Sequence, residues 1–296
     1  MERVVEIGYA KINLHLDITG RGDDGYHSVQ TVMQSISLCD RVAVSVRDDM
    51  DVTVGCDSVG VPTDGSNLAV RAARLYMEHV GKTCGLHIDI QKNIPMAAGM
   101  AGGSADAAAV LRAVNRLCGE PLDRDALCAL GALLGADVPF CIVGGTAYAD
   151  GRGDRLHSFP PMPDCFLVVA CGREGVSTPW AYRLLDETYS NFDGTRYVPH
   201  TVDTLENAMK QGDILTVARA MYNVFEAPVL AERAEARSLR ATMLSHGAIG
   251  AMMSGSGPSV FGLFAEESEA REAAEKIAAE GYFSTVCRPI GGVFSA

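Results

Sequence analysis

Small residues dominate the stretch Pro95-Met96-Ala97-Ala98-Gly99-Met100-Ala101-Gly102-Gly103-Ser104-Ala105-Asp106-Ala107-Ala108, which leads directly into the strongest helical pattern of the chain. Glycine and alanine let a backbone approach a ligand closely, and a helix N-terminus offers unpaired N–H groups and a partial positive charge. The stretch therefore predicts a loop that holds the phosphates of a nucleotide. Composition alone also allows a tight turn before a helix that packs closely on a sheet.

The helix after this loop is predicted over Ser104–Cys118, because four apolar residues recur at helical spacing: Val110, Leu111, Val114 and Leu117. Ser104 is a good N-cap and Gly119 a good stop. Asp106 suits the first turn of a helix, where the dipole favours a negative charge. The same carboxylate would repel a phosphate if it pointed at the ligand.

Two common nucleotide-binding motifs do not occur in this stretch. It contains no Gly-Lys-Ser/Thr of a Walker A loop. It also contains no G-x-G-x-x-G with a ribose-binding acid at the expected distance, which a dinucleotide site requires. A nucleotide bound here would therefore be held by a different type of loop.

A second polar block lies near the N-terminus. Polarity alternates along Ala10-Lys11-Ile12-Asn13-Leu14-His15-Leu16, as in a strand, so Lys11, Asn13 and His15 share one face. Such a polar face is either solvated surface or part of a site. The turn-rich segment Gly20-Arg21-Gly22-Asp23-Asp24-Gly25-Tyr26-His27 follows and ends in two ring side chains.

Bulk properties exclude several classes of protein. The 296 residues are 48% apolar and 21% charged, which is usual for a globular chain with a substantial core. No apolar run approaches the roughly 20 residues needed to span a bilayer. The first residues, Met1–Glu6, have no apolar segment of signal-peptide length, so we expect no leader, no membrane association and a cytoplasmic location.

The net charge of −12 and the lack of a basic run argue against a nucleic-acid partner. A small phosphorylated ligand is still possible, because backbone amides and a few local cations can hold it. The overall charge predicts that a nucleotide would bring a divalent metal ion with it. Oligomeric state cannot be inferred from these properties.

Nine cysteines are spread along the chain, without a C-x-x-C pair. A zinc site needs clustered ligands, and a disulfide framework is typical of short secreted chains. We therefore expect most of these cysteines to be buried, reduced apolar side chains.

Periodicity predicts strands and helices in a mixed order. Strands are expected at 42–46, 86–90, 166–170, 248–253, 259–264 and 285–288, and further helices at 67–80, 125–134, 213–225, 230–244 and 267–280. Three prolines in Ser158–Asp164 mark the best candidate boundary. This order predicts an α+β protein whose second half is a sandwich of helices and strands.

The small-residue loop resembles the second motif of the GHMP kinases (galacto-, homoserine, mevalonate and phosphomevalonate kinases), in which this loop wraps the ATP phosphates. The sequence departs from the common pattern at Ala97, Ala98 and Ala101, where glycine is frequent. Ala-Lys-Ile-Asn-Leu at 10–14, Gly-Ala-Asp-Val-Pro at 135–139 and Gly-Ser-Gly-Pro at 255–258 resemble further motifs of the family. The resemblance covers essentially the whole chain.

The tetrapeptide Asp24-Gly25-Tyr26-His27 resembles one branch of this family, whose members phosphorylate the 2-hydroxyl of a methylerythritol linked to cytidine diphosphate, in isoprenoid biosynthesis. The resemblance implies a two-domain GHMP kinase fold, with an N-terminal ribosomal-protein-S5-like domain and a C-terminal ferredoxin-like α/β sandwich. We place the domains at 1–160 and 161–296. ATP and the cytidine diphosphate-linked polyol are the implied substrates, with Mg²⁺ as cofactor.

The same resemblance implies roles for individual residues. Lys11 and Asp137 would be catalytic, with the carboxylate taking the proton of the acceptor hydroxyl and the ammonium keeping it ionised. Standing alone, an Asp at the position of Asp137 would be read as a helix cap or turn former. No residue is assigned as a metal ligand.

Binding residues are implied in three groups. Pro95, Met96, Ala97, Ala98, Gly99, Met100, Ala101, Gly102, Gly103 and Ser104 would hold the ATP phosphates, with Asn67 near the adenine. Asn13, Tyr26, His27 and Tyr182 would bind the acceptor, the histidine reading the edge of cytosine and the tyrosines stacking on its ring. Gly255, Ser256 and Gly257 would form a supporting loop. For the aromatic residues, the alternative is an ordinary half-buried position.

Three other functions remain open from the sequence. Another GHMP kinase, acting on homoserine or mevalonate, would share the phosphate loop but lack the Asp-Gly-Tyr-His tetrapeptide. A non-catalytic nucleotide-binding sensor would be expected to have lost Lys11 or Asp137, and both are present. A scaffold or interaction protein with incidental glycines is neither supported nor excluded.

Overall fold

Two β-sheets, each covered by helices, make up the molecule. The computed structural model describes residues 2–22, 25–189 and 198–293. The strands within these ranges are β1 Arg3–Arg21, β2 His27–Arg47, β3 Val52–Cys56, β4 Gly85–Gln91, β5 Thr146–Asp150, β6 Arg155–Ser158, β7 Phe166–Cys171, β8 Tyr222–Asn223, β9 Gly250–Met253, β10 Val260–Phe264 and β11 Phe283–Cys287. The helices are α1 Leu68–His79, α2 Gly102–Leu117, α3 Arg124–Ala132, α4 Val138–Val143, α5 Thr178–Thr188, α6 Asp203–Gln211, α7 Ile214–Ala220, α8 Glu226–Glu232, α9 Ala234–Ser245 and α10 Glu267–Ala279.

The first sheet is built on a long antiparallel hairpin of β1 and β2. Its strand order is β3-β4-β2-β1-β8, and β5 joins β2 and β6 beside this path. Helix α2 packs on β1 and β2 with a nearly continuous apolar surface, and α1 packs on α2. The hairpin register slips at three points on β1, one of them between Asn13 and His15. Lys11, Asn13 and His15 are buried, so the alternative of a solvated polar face is wrong.

The second sheet has four antiparallel strands in the order β11-β7-β10-β9. Helices α9 and α10 pack on it. The chain runs through β7, helices, β9, β10, α10 and β11, which is the β-α-β-β-α-β order of a ferredoxin-like sandwich. The expected ferredoxin-like second half is therefore confirmed.

Contacts between the two halves join them into one unit. The short strand β8, from the second half, pairs in parallel with β1 of the first. After β11, the chain returns to the first sheet, where Ile290 N donates to Ser35 O at 3.0 Å. One hydrophobic core contains side chains from both sheets. The domain boundary at residue 160 stays a prediction.

Several local predictions can be compared with the structure. The predicted helix at 67–80 is α1, which Asn67 caps, accepting a hydrogen bond from Ala69 N at 2.8 Å. Ser104 was predicted as the N-cap of α2, and this is wrong: the helix begins at Gly102, with Ala101 at the cap position. The left-handed conformation of Ala101 turns the chain into the helix three residues earlier than an N-cap at Ser104 would.

The cysteines and the length of the helices can be compared with the expectations from composition. All nine cysteines are free thiols, four of them buried and five half-buried. Among the helices in the described part of the chain, none combines the length and apolar character needed to cross a bilayer.

Candidate active site

A cavity of about 610 Å³ lies between the two sheets, at the N-terminal end of α2. Its lining combines the loop before α2, the middle of β1, the start of α4, the start of α5 and the loop between β9 and β10. It therefore draws on segments from both halves of the chain. A pocket of several hundred Å³ is of the size expected for a small-molecule substrate.

The loop from Pro95 to Ser104 forms one wall of this cavity, and all of its residues except Met100 line it. Three of its residues, Ala97, Gly99 and Ala101, have positive φ angles. These left-handed residues fold the backbone tightly before α2 begins at Gly102, and the first residues of the helix, whose N–H groups have no partner within it, line the cavity. The Met100 side chain is buried in the core, and its carbonyl accepts the backbone N–H of Lys11 at 3.2 Å.

The loop between β9 and β10 contacts the loop Pro95–Ser104 directly. A Cβ atom on Gly99 would lie 2.5 Å from the carbonyl oxygen of Ser254, and one on Gly255 would lie 3.0 Å from that of Gly99. The Ser254 hydroxyl donates to the Gly99 carbonyl at 3.1 Å. Glycine is therefore required at both contact points, because any side chain would push the two loops apart.

Asn223 of β8 holds this second loop in place. Its side-chain amide donates to the carbonyls of Met253 at 2.7 Å and Gly255 at 2.9 Å, while its oxygen accepts from Phe225 N at 3.0 Å. Gly255 and Ser256 line the cavity. A single residue about 30 positions away in sequence thus fixes the shape of the supporting loop.

The side chains of Lys11 and Asp137 lie next to each other, and both residues line the cavity. The ammonium of Lys11 lies 3.6 Å from Asp137 Oδ1; the lysine side chain is 6% exposed and the aspartate side chain 38% exposed. Asp137 stands at the N-cap position of α4 but makes no side-chain capping hydrogen bond. The interpretation of Asp137 as a helix cap is therefore not supported, and its carboxylate is directed toward a buried cation and an open cavity.

The Lys11 ammonium also donates to Asn13 Oδ1 at 2.9 Å, in a buried contact along β1. Asn13 was expected to orient either Lys11 or the acceptor. The structure pairs it with Lys11, while it also lines the cavity.

A buried charged cluster lies beneath the first turn of α2. Lys92 Nζ contacts carboxylate oxygens of both Asp40 and Asp106, and these three side chains are at most 6% exposed. Burial, followed by the negative charge of Asp40, raises the pKa of Asp106 to about 7. Burial alone would lower the pKa of Lys92, but the carboxylates of Asp106 and Asp40 raise it above its ordinary value.

This cluster shows where the Asp106 carboxylate points, which the sequence left open. The carboxylate turns to Lys92 rather than standing unopposed before a ligand. A Cβ on Gly102 would lie 3.1 Å from Lys92 Nζ, so the ammonium sits directly under the start of the helix. The positive charge of Lys92 thus lies beside the carboxylates of Asp40 and Asp106, next to the expected phosphate position.

Of the predicted acceptor residues, Asn13 and Tyr182 line the cavity, whereas Tyr26 and His27 do not line it. The ring of Tyr182 is 5.0 Å from that of His27 and 4.9 Å from that of Phe225. Burial, followed by the charge of Asp137, raises the pKa of Tyr182 to about 12, so its phenol is neutral. The His27 side chain is 7% exposed, and its Nε2 lies 2.7 Å from Asp186 Oδ1 on α5.

Tyr26 is 61% exposed, and the guanidinium of Arg152 lies 4.2 Å over its ring. Arg152 also lines the cavity. The structure thus pairs Tyr182 with His27, and Tyr26 with Arg152. The sandwich of cytosine between Tyr26 and Tyr182 stays a prediction.

Asn67 lines the cavity near the loop Val61–Pro62. Its oxygen caps α1, and its amide donates to Pro62 O at 2.6 Å. Both ends of the side chain are therefore engaged within the protein. Asn67 shapes the wall of the cavity, and its predicted position near adenine stays a prediction.

The described residues contain no group of three or more His, Cys, Asp or Glu side chains that could hold a metal ion. Mg²⁺ commonly binds through substrate phosphates with one or two carboxylates. The cavity therefore does not fit an all-protein metal cage, and a Mg²⁺ ion would be held there mainly by the phosphates of the nucleotide.

Sequence reasoning did not find several residues that shape this site. Lys92 and Asp40 are 52 residues apart, and Asn223 lies about 30 residues from the carbonyls it holds, so no local pattern marks them. Asp186 follows Tyr182 by one helical turn, which could have been a signal. The residues to which the sequence assigned no role are Thr31, Asp40, Lys92, Arg152, Asp186 and Asn223.

Comparisons with known proteins agree with this architecture. The profile of the GHMP kinases N terminal domain matches residues 67–145, and that of the GHMP kinases C terminal domain matches residues 205–282. A homoserine kinase from Cytophaga hutchinsonii superposes with a TM-score of 0.75 at 18% identity, covering 99% of this chain and 96% of that one, and so shares the fold. Fold, cavity and profiles together define a GHMP kinase.

More similar proteins carry a more specific name. 4-Diphosphocytidyl-2-C-methyl-D-erythritol kinases from Alkaliphilus metalliredigens and Caldicellulosiruptor saccharolyticus are 41% and 40% identical, covering 94% and 91% of this chain and 93% and 91% of their own lengths. A crystal structure of 4-(cytidine 5′-diphospho)-2C-methyl-D-erythritol kinase superposes with a TM-score of 0.81 at 33% identity, covering 98% of this chain and all of the other. The chain belongs to the 4-diphosphocytidyl-2-C-methyl-D-erythritol kinase family.

Proposed function

We propose that this enzyme transfers the γ-phosphoryl group of ATP to the 2-hydroxyl of 4-diphosphocytidyl-2-C-methyl-D-erythritol, in isoprenoid biosynthesis. The observation that carries the proposal is the Lys11–Asp137 pair, 3.6 Å apart, which lines the same cavity as the phosphate loop. Family membership supports the identity of the acceptor. The nine free cysteines agree with a reducing, cytoplasmic location.

ATP would lie with its phosphates along the loop from Pro95 to Ser104, where backbone N–H groups and the α2 dipole favour negative charge. Mg²⁺, bound with the nucleotide, would offset the phosphate charge. The Lys92 ammonium beneath Gly102 adds a positive charge on the protein side. Asn67 and the Val61–Pro62 loop form the neighbouring wall, on which the adenine would rest.

Asp137 accepts the proton of the acceptor hydroxyl as that oxygen attacks the γ-phosphorus. The new O–P bond forms as the bond to the β-phosphate oxygen breaks, and ADP leaves. The Lys11 ammonium, 3.6 Å from the carboxylate, offsets negative charge on the transferred group. Direct in-line transfer needs positioning and charge stabilisation rather than a covalent enzyme intermediate.

The cytidine end would lie by Tyr182, His27 and Tyr26. Asp186, at 2.7 Å from His27 Nε2, holds the imidazole in one orientation. The His27 ring lies 5.0 Å from the ring of Tyr182, which lines the cavity, so the two rings mark the end at which the base would bind. Stacking on the neutral Tyr182 ring would add affinity for the base without selecting which base is bound.

The test measures ADP release by the purified protein with Mg-ATP and one acceptor at a time: 4-diphosphocytidyl-2-C-methyl-D-erythritol, homoserine or mevalonate. We expect turnover with the cytidylated alcohol, and its loss in Asp137→Asn while ATP affinity stays within about twofold, since general-base removal costs roughly 10²- to 10⁴-fold. Turnover with another acceptor would reassign the substrate. ATP binding without turnover on any acceptor would favour a sensor.

A further inference from the structure

A chain of buried hydrogen bonds runs behind the catalytic lysine. Lys11 Nζ donates to Asn13 Oδ1 at 2.9 Å, Asn13 Nδ2 donates to Thr31 Oγ1 at 2.8 Å, and Thr31 Oγ1 donates to the backbone carbonyl of His15 at 2.7 Å. Lys11 is 5% exposed, and Asn13 and Thr31 are each 3% exposed. The chain starts at the β1 register slip between Asn13 and His15 and ends beside Asp137.

The direction of every bond in this chain is dictated by its two ends. A carbonyl oxygen can only accept, so the single hydroxyl proton of Thr31 is donated to His15 O. The Thr31 oxygen therefore meets Asn13 as an acceptor, and only the NH₂ group of Asn13 can donate to it. This turns Asn13 Oδ1 toward Lys11, whose ammonium can only donate. The orientation of the Asn13 amide thus suits both of its partners, and Thr31 supplies the acceptor that anchors its NH₂ group.

We propose that Thr31 is a positioning residue for phosphoryl transfer, which fixes the Asn13 amide so that Lys11 is held beside Asp137. This inference rests on the proposed function. Thr31 lines the same cavity as Lys11 and Asp137. Its hydroxyl acts through Asn13 and Lys11 and does not itself take part in the bond-making step.

Removal of the hydroxyl has a defined consequence. In Thr31→Val the shape is kept, but the Asn13 NH₂ group has no acceptor in a buried site, which is costly. Rotation of the amide would instead place NH₂ against the Lys11 ammonium, donor against donor. If the amide stays, Lys11 keeps its acceptor but the amide has lost the bond that anchored it; if the amide rotates, Lys11 loses its acceptor. Both changes loosen Lys11 relative to Asp137, and misplacement of about 1 Å can cost roughly 10²-fold in rate.

The matched variants are Thr31→Val, Thr31→Ser and Thr146→Val. Thr146 lies on β5 of the same sheet and donates its hydroxyl to Gln34, outside this cavity. We expect Thr31→Val to lower kcat by about 10- to 100-fold with KM for ATP within about twofold. Thr31→Ser should return kcat to within about threefold of the wild type, and Thr146→Val should leave kcat unchanged, because it removes a hydroxyl without touching the chain behind Lys11.

Thr31→Ala is the second probe, because it also removes the hydroxyl and introduces no new methyl packing. It should show the same kcat loss with ATP affinity retained. An undiminished kcat in Thr31→Val or Thr31→Ala would overturn the role of Thr31 and leave the proposed function intact, as would equal losses in Thr31→Val and Thr31→Ser. Wild-type protein that binds ATP but releases no ADP with the cytidylated acceptor would overturn the proposed function, and the positioning role with it.

Discussion

Ala97 and Ala101 hold backbone conformations that glycine adopts without strain, with φ angles of 51° and 57°. A left-handed alanine costs roughly 1–2 kcal/mol, because its Cβ crowds the following carbonyl. This strain is located in the loop that would bind the ATP phosphates. The contacts of the loop with α2 and with the loop at Ser254–Gly257 must therefore hold it against that cost.

We therefore expect Ala97→Gly and Ala101→Gly each to raise the free energy of unfolding by about 0.5–1 kcal/mol, since relief of strain exceeds the roughly 0.4–1 kcal/mol that glycine costs through the unfolded state. Urea denaturation of the two variants measures this. Ala98→Gly is the matched control, because Ala98 lies in the same loop, is buried and has no positive φ. It should lower stability. Lower stability in all three variants would contradict the strain assigned to Ala97 and Ala101.

Substitution of His27 tests its proposed contact with the cytosine of the acceptor. We expect His27→Ala to raise KM for the cytidylated acceptor by about tenfold, the equivalent of one lost hydrogen bond in a buried site, with KM for ATP within about twofold. His87→Ala is the control, because His87 hydrogen-bonds Thr53 between β3 and β4, outside the cavity. It should change neither constant. Equal losses for both substrates in His27→Ala would remove His27 from the cytosine.

At the scale of elements, the residue that caps helix α1, Asn67, also lines the cavity. Its substitution should therefore affect both stability and the proposed nucleotide site. We expect Asn67→Ala to cost about 1 kcal/mol of stability through the lost cap and to raise KM for ATP, since the amide also holds the Pro62 carbonyl. Asn67→Asp keeps the capping oxygen and loses the donor, so it should raise KM with a smaller stability loss. Thermal melts and steady-state kinetics measure both effects.

Asp123→Ala supplies the control for that pair, because Asp123 caps α3 by accepting from Ala126 N at 2.9 Å, outside the cavity. It should cost similar stability and leave KM for ATP unchanged. A raised KM in Asp123→Ala would show that the effect of Asn67→Ala comes from general loosening of the fold.

Elements with a strong local pattern were predictable from the sequence, and elements set by distant contacts were not. Helices α1 and α10 and the strands of the second sheet follow their apolar spacing closely. The hairpin strands β1 and β2, of 19 and 21 residues, were predicted only in part. Their central residues are buried even where they are polar, because Lys11, Asn13 and Thr31 satisfy one another there.

The residues of the site likewise divide into those predictable from the sequence and those set by distant contacts. The phosphate loop was predictable because small residues and a helix start are adjacent in sequence, and Lys11 and Asp137 followed from the family resemblance. The assigned roles of these residues stay predictions. The partners Asp40, Lys92 and Asn223 were not predictable, since their function depends on which distant segments the fold brings together.

At the scale of the whole molecule, the Lys92 cluster makes stability depend on pH. Asp106 has an ordinary pKa of 3.8, which burial and then Asp40 raise to about 7 in the folded protein. Between about pH 4 and 7 the folded protein therefore holds a proton that the unfolded chain has lost. The contribution of Asp106 is complete below about pH 4, declines as pH rises, and is lost above about pH 7.

Asp106→Asn removes this titration and keeps an oxygen that can accept from Lys92. We expect the free energy of unfolding of the variant, minus that of the wild type, to increase from pH 5 to pH 8. Urea titrations at several pH values measure this difference, in which other titrating groups cancel. A difference that is constant across this range would contradict the raised pKa of Asp106.

The two halves share so many contacts that we expect neither to fold alone. Val224 N donates to Leu16 O at 2.9 Å across the β8–β1 pair, and Val293 N donates to Val143 O at 2.8 Å where the C-terminal segment rests on the first half. Ile12 and Leu14 of the first sheet share a core with Leu167 of the second. Separation at residue 160 would expose this apolar surface to water, and lose the burial that drives folding.

Fragments 1–160 and 161–296 are therefore expected to lack a cooperative thermal transition by circular dichroism and to bind a hydrophobic dye, whereas the full chain unfolds in one transition. Co-expression of the two fragments is the control, because it restores β8 and the C-terminal segment to the first sheet without a covalent link, and it should recover a cooperative melt. A fragment that melts cooperatively by itself would show that its sheet is an independent folding unit. In that case the cavity would form by docking of two finished domains, and substitutions at the junction, such as Asn223→Ala, should weaken ATP binding without lowering the melting temperature of either half.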